Sequence, residues 1–152
     1  MQPVLSGKSH VARILWMALM ALVLVGSALP AQAVGKRAKQ RQLTETQMLF
    51  TKAMRWGEFE QAWSVVDPKV RQERMLSALE LSRYEQIEIS GYSEVGSMSE
   101  PDGTVVRLID ARMVNRNTMT ERTVRLRERW RWDDQDEQWW LQDGLPDLWK
   151  GR

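Results

Sequence analysis

Cysteine does not occur among the 152 residues, and histidine occurs once, at His10. Thiol and imidazole chemistry is therefore closed to residues 34–152. No disulfide, no Cys or His metal site, no Ser-His-Asp or Cys-His nucleophile and no histidine pH switch can be built there. Tyrosine and phenylalanine are scarce as well, two of each, whereas tryptophan occurs eight times. Without disulfides the fold has to be held by its core alone, for which Trp, Met, Leu and Val are at hand. Acidic residues are missing from the first 33 positions, which contain two basic ones, so residues 34–152 carry twenty side chains of each sign. That balance removes a bulk electrostatic case for nucleic acid as a partner.

What the N-terminus does have is the three-part pattern of a secretory signal. Lys8 and Arg13 precede the apolar run Ile14 to Val25, and the small-residue sequence Ala31-Gln32-Ala33 follows. The pattern predicts export, most naturally to the periplasm, with cleavage after Ala33. The alternative is a retained anchor, since Ile14 to Val34 is long enough for a marginal span if Gly26, Ser27, Pro30 and Gln32 are tolerated. Lys36, Arg37, Lys39 and Arg41 place more positive charge after the run than before it, which disfavours an anchor with the body outside. Residues 34–42 lack apolar periodicity and are expected to be a flexible basic leader. Residues 43–152 are enough for one domain with one core.

Helical periodicity begins at Thr44, where Thr44 and Gln47 have capping-box spacing ahead of Met48, Leu49, Phe50, Ala53 and Met54, and Gly57 ends it. Phe59, Ala62, Trp63 and Val66 predict a second short helix. Asp67 as N-cap with Pro68 opens a third, with Val70, Met75, Leu76 and Leu79 toward the core. After Leu81 the period changes to two. Ile87, Ile89 and Val95 mark a strand bent at Gly91, and Glu100-Pro101-Asp102-Gly103 is a turn. Thr104 to Arg116 and Glu121 to Asp133 are long strands joined around Asn117 and Thr118, and Gln138 to Gln142 is the last strand. Three helices followed by an antiparallel meander of four strands predict an α+β domain with helices on one sheet face.

The segment Ala53-Met54-Arg55-Trp56-Gly57-Glu58-Phe59-Glu60-Gln61-Ala62-Trp63 resembles the first helix pair of the nuclear transport factor 2-like superfamily, the cystatin-like or ketosteroid-isomerase-like cones. Trp139-Trp140-Leu141-Gln142-Asp143-Gly144-Leu145-Pro146 is similar to the final strand of its small exported bacterial members. The resemblance implies a curved sheet wrapped around helices with a pocket in the cone. The superfamily includes isomerases, dehydratases, ligand binders and non-catalytic envelope domains, so the fold selects no function. Its catalytic Asp-His and Tyr-Asp arrangements match no motif here.

Strand Glu121 to Asp133 alternates so regularly that both faces can be assigned. Val124, Leu126, Glu128, Trp130 and Trp132 face inward, and Thr123, Arg125, Arg127, Arg129 and Arg131 face outward. Pairing Met113 with Val124 sets Ile109 against Glu128 and Arg107 against Trp130, leaving Arg107 and Glu128 as diagonal charged neighbours on the inner face. They are either polar fixtures that orient a ligand among Trp130, Trp132 and Trp140, or a satisfied core ion pair. The outer row Arg125, Arg127, Arg129, Arg131 is either a solvated face, with Asp110 opposite Arg127 and Arg131 stacked on Trp139, or a basic docking surface. The docking surface would take an acidic partner, lipid headgroups or a second copy of the sheet in a homodimer. An outward Trp139 beside arginines has the composition of an interface hot spot.

These features point to a non-catalytic exported domain that binds an envelope protein or a small apolar ligand, with no cofactor, no metal and no nucleic acid. One rival is an isomerase or dehydratase using a buried carboxylate such as Glu128 or Asp110 as base. Another is a signal-anchored subunit of an envelope complex.

Overall fold

The computed structural model describes residues 29–149, with side chains from residue 35 onward. The signal sequence expected over residues 1–33 falls outside that description except for the backbone of its last five residues. Two compact units divide the chain, residues 1–39 and residues 40–152, and of the first only the opening turns of one helix are described. The helix is α1 (Leu29–Trp56), which starts well before Thr44. Residues 34–42, expected as a flexible leader, are helical. The reason is propensity: Lys36 to Leu43 consists of Lys, Arg, Ala, Gln and Leu, all good helix formers, with no breaker among them. Thr44 is not a cap but a mid-helix residue whose hydroxyl donates to the Gln40 carbonyl.

Leu43, Gln47, Phe50 and Met54 form the buried stripe of α1, at helical spacing. Its end is a Schellman motif. The amide of Gly57 donates to the Met54 carbonyl and that of Glu58 to the Ala53 carbonyl, with Gly57 at φ +75°. Gly57→Ala forces a Cβ into the left-handed region and should lower unfolding free energy by roughly 1–2 kcal/mol, as measured by urea denaturation.

Helix α2 (Phe59–Ser64) follows, then α3 (Pro68–Glu73), with Asp67 as N-cap accepting from the Lys69 amide, and α4 (Ala78–Tyr84). The single third helix expected from Pro68 to Leu79 is thus two. Ser77 and Glu80 form a capping box that opens α4, which competes with continuation of α3. As a result Met75 and Leu79 are exposed, contrary to expectation, while Val70 and Leu76 pack against the core.

Four strands, β1 (Ile87–Ser99), β2 (Val105–Asn115), β3 (Glu121–Asp133) and β4 (Gln138–Leu141), form an open antiparallel sheet in the order β1-β2-β3-β4. The domain is α+β, as the pattern required. Residues 65–67 run beside β4 through an isolated parallel bridge between Val66 and Leu141. The register between β2 and β3 is a correction: Val124 faces Ala111 and not Met113, Leu126 faces Ile109, and Glu128 faces Arg107 directly. The turn sets this shift. Asn115 accepts the amides of Asn117 and Thr118 on its side chain, and Met119 adopts φ 55°, so the turn centres one residue earlier than expected. A slip of two residues leaves every side chain on its assigned face. Strand β1 is bulged at Ser90 and again at Val95, which bends it and turns Val95 out to solvent.

Candidate functional site

Glu128 is the centre of a buried polar cluster on the helix-covered face. It is 1% exposed and Arg107, opposite it on β2, is 6% exposed. Tyr92 on β1 donates its hydroxyl to Glu128 Oε1 at 2.5 Å, and Trp130 donates its indole N–H to Oε2 at 3.0 Å. Arg107 Nε stands 3.2 Å from the same Oε2, close enough for an ion pair but not aligned as a hydrogen bond. The guanidinium also donates to Thr51 Oγ1 of α1 at 2.9 Å and lies 3.5 Å from Glu94, a half-exposed carboxylate at the rim. Phe50 closes the cluster from α1. Its ring meets Trp130 edge-on at 5.6 Å and Tyr92 at 6.4 Å.

Burial pushes the Glu128 carboxyl above its ordinary range, opposed by the Arg107 charge and by the Tyr92 and Trp130 hydrogen bonds. Tyr92 is raised well above its usual value, first by burial and then by the carboxylate it touches. A carboxyl raised in this way has the acid–base character that a catalytic group needs, but each of its oxygens is already held by the protein itself. A groove of about 500 Å³ elsewhere on the surface is lined by Tyr84, Trp149, Arg74 and Arg83 together with Arg125 and Arg127. It contains none of Glu128, Arg107, Trp130, Trp132 or Trp140.

Of the residues expected around Glu128, Trp130 is there, fully buried. Trp132 lies further along β3, half-buried at the sheet end, edge-on to Trp139 at 5.6 Å. The two β4 tryptophans have exchanged faces relative to expectation. Trp139 is opposite Trp132 on the inner face, and Trp140 is opposite Arg131 on the outer one, because β4 pairs Leu141 with Trp130. Neither is open to solvent, and Arg71 of α3 lies over the Trp140 ring at 5.7 Å.

The outer arginines each have an acid. Arg125 holds Asp110 with two hydrogen bonds of 2.8 and 2.9 Å, so Asp110 faces Arg125 and not Arg127. Arg127 and Arg129 share the two oxygens of Glu100 at 3.0 and 3.1 Å. Arg131 bridges Asp67 at 2.7 Å and Asp133 at 3.0 Å, in place of the stacking on Trp139. The row is a series of ion pairs, across to β2 at Asp110, to Glu100 just after β1, to the α3 cap Asp67 and to Asp133 of β3 itself.

Burial alone would raise Asp67, but the Arg131 hydrogen bond, the Lys69 amide and their charges outweigh it and hold the carboxyl below 3.8. Because the folded value is depressed, the stabilisation is present above the unfolded value and is lost as pH falls through the folded one. Asp67→Asn keeps a competent cap and removes the charge. Its destabilisation, roughly 0.5–1 kcal/mol at neutral pH given the solvent around Arg131, should vanish in acid in a urea series across pH.

Tyr92, Thr51, Glu94 and Phe50 were not among the expected site residues. Tyr92 is hidden from a period-two reading because the bulge at Ser90 moves it from the odd positions of Ile87 and Ile89 to an even one on the same face. Gly91, beside that bulge, was the available signal. Among the described residues no group of three acidic or other ligating side chains could hold a metal ion. Comparison with protein-family models, with curated proteins and with solved structures finds no match to this chain.

Proposed function

We propose that this chain is a non-catalytic envelope domain of the nuclear transport factor 2-like cone type, which works by binding a protein partner on its surface. The observation that carries the reading is the closed interior. Glu128 and Arg107 are partnered within the fold, and Phe50 and Trp130 fill the space that a ligand would need. A cone whose carboxylate is held by Tyr92, Trp130 and Arg107 and whose aromatic lining is packed has lost the concave, mostly apolar volume of a small-molecule site. The order of helices and the bulged antiparallel sheet support the cone assignment, and the Lys8 to Ala33 pattern supports export.

The surface offered to a partner is the free edge of β1. Among the described residues β1 pairs only with β2, and Val95 and Met98 on it are 50% and 54% exposed. Its two bulges limit indiscriminate strand addition while leaving apolar side chains available. In-cell photo-crosslinking from position 98 tests this: a discrete protein adduct is the expected result. A stoichiometric small molecule released from natively purified protein in mass spectrometry would refute the closed-interior reading.

A further inference from the structure

The outward face of α1 is unlike the rest of the surface. Within residues 40–56 it presents Arg41, Glu45, Met48, Leu49, Lys52, Arg55 and Trp56, positions that fall on one stripe at 100° per residue. Met48 is 65% exposed, Leu49 57% and Trp56 72%, so large apolar side chains and the cations Lys52 and Arg55 share this face. The only acid in α1 is Glu45, and it is paired with Arg41 at 2.9 Å. Lys52 and Arg55 have no ion-pair partner among the described residues, in contrast to the four outward arginines of β3, Arg125, Arg127, Arg129 and Arg131.

Charge is distributed in the same sense. Residues 29–56 hold six basic side chains and one acidic, a net +5, whereas residues 57–152 hold fourteen basic and nineteen acidic, a net −5. The twenty cations and twenty anions of residues 29–152 are therefore divided unevenly along the sequence, with the excess of positive charge in the helical segment. Exposed Trp, Leu and Met flanked by Lys and Arg match the headgroup–acyl boundary, where indole and apolar side chains enter and ammonium and guanidinium groups meet phosphate. No helix among the described residues is long and apolar enough to cross a membrane, so contact by α1 is a matter of lying on the surface.

We propose that the Met48–Trp56 face of α1 docks on an anionic membrane surface, with Lys52 and Arg55 at the phosphates and Trp56 at the acyl boundary. Charge complementarity selects anionic over zwitterionic lipid, and the exposed apolar trio selects lipid over a merely acidic polymer. The docking does not depend on the partner-binding proposal, because it uses a different face and names a different class of partner.

The test uses the full chain with vesicles of phosphatidylglycerol in phosphatidylcholine, compared with phosphatidylcholine alone. The ratio of partitioning on the two surfaces cancels any contribution of the apolar run Ile14 to Val25. Each basic residue at such a surface contributes about fivefold, so Lys52→Gln/Arg55→Gln should reduce the ratio by about 25-fold. Trp56 emission, isolated as the difference between wild type and Trp56→Phe, should shift to the blue on anionic vesicles and be quenched by brominated acyl chains. An equal ratio for wild type and the double variant would overturn the proposal. So would a Trp56 shift produced by polyglutamate without lipid, which would assign the face to an acidic protein, or a shift already present in a vesicle-free dimer.

Discussion

Glu128→Leu should lower unfolding free energy by about 3–5 kcal/mol, because it leaves a guanidinium buried beside apolar side chains. Two further losses accompany it, since the Tyr92 hydroxyl and the Trp130 indole N–H both lose their acceptor. Arg107 keeps Thr51 and the rim carboxylate Glu94, which holds the cost within that range and not above it. Adding Arg107→Met to Glu128→Leu should recover part of the loss, and adding Tyr92→Phe should recover more, since each removes one orphaned polar group. The measurement is a double-mutant cycle on urea unfolding, with the triple variant alongside. Additive single effects would show that Glu128 and Arg107 do not share an interaction energy.

How much of this arrangement the sequence revealed depends on where local pattern and tertiary closure agree. The regular alternation of β3 was enough to put Glu128 and Trp130 on one face and four arginines on the other. It could not give the register, because the Asn115 side chain and Met119 fix the turn, and a slip of two residues costs nothing in face assignment. Arg107 and Glu128 therefore turned from diagonal neighbours into a directly facing pair. On β1 a single bulge at Ser90 hid Tyr92, the residue that completes the cluster. The exchange of Trp139 and Trp140 has the same origin, since adjacent residues on a four-residue strand can be assigned only through the partner strand. Helix α1 was misjudged for a different reason. Its first turns have no apolar stripe, so periodicity was silent and only propensity indicated a helix.

Phe50→Ala should also cost about 3–5 kcal/mol, the range for truncating a fully buried aromatic ring. Phe50 is the aromatic contact between α1 and the polar cluster, edge-on to both Trp130 and Tyr92, so the cavity left behind opens beside Glu128. Burial is the leading cause of the raised Glu128 carboxyl, and water entering that cavity should bring its titration back toward the ordinary value of 4.5. The sign follows by linkage. In the wild type the raised group contributes stability that is complete below the unfolded value and lost as pH rises through the folded one. The variant lacks that contribution, so the gap between wild type and Phe50→Ala should be widest in acid and narrower at neutral pH. Carboxyl-carbon NMR of Glu128 together with unfolding curves across pH checks both statements, and Phe50→Leu serves as a milder variant that keeps the core filled. If Glu128 titrates unchanged in Phe50→Ala, the ring is not what closes the interior, and the partner-binding proposal loses the observation that carries it.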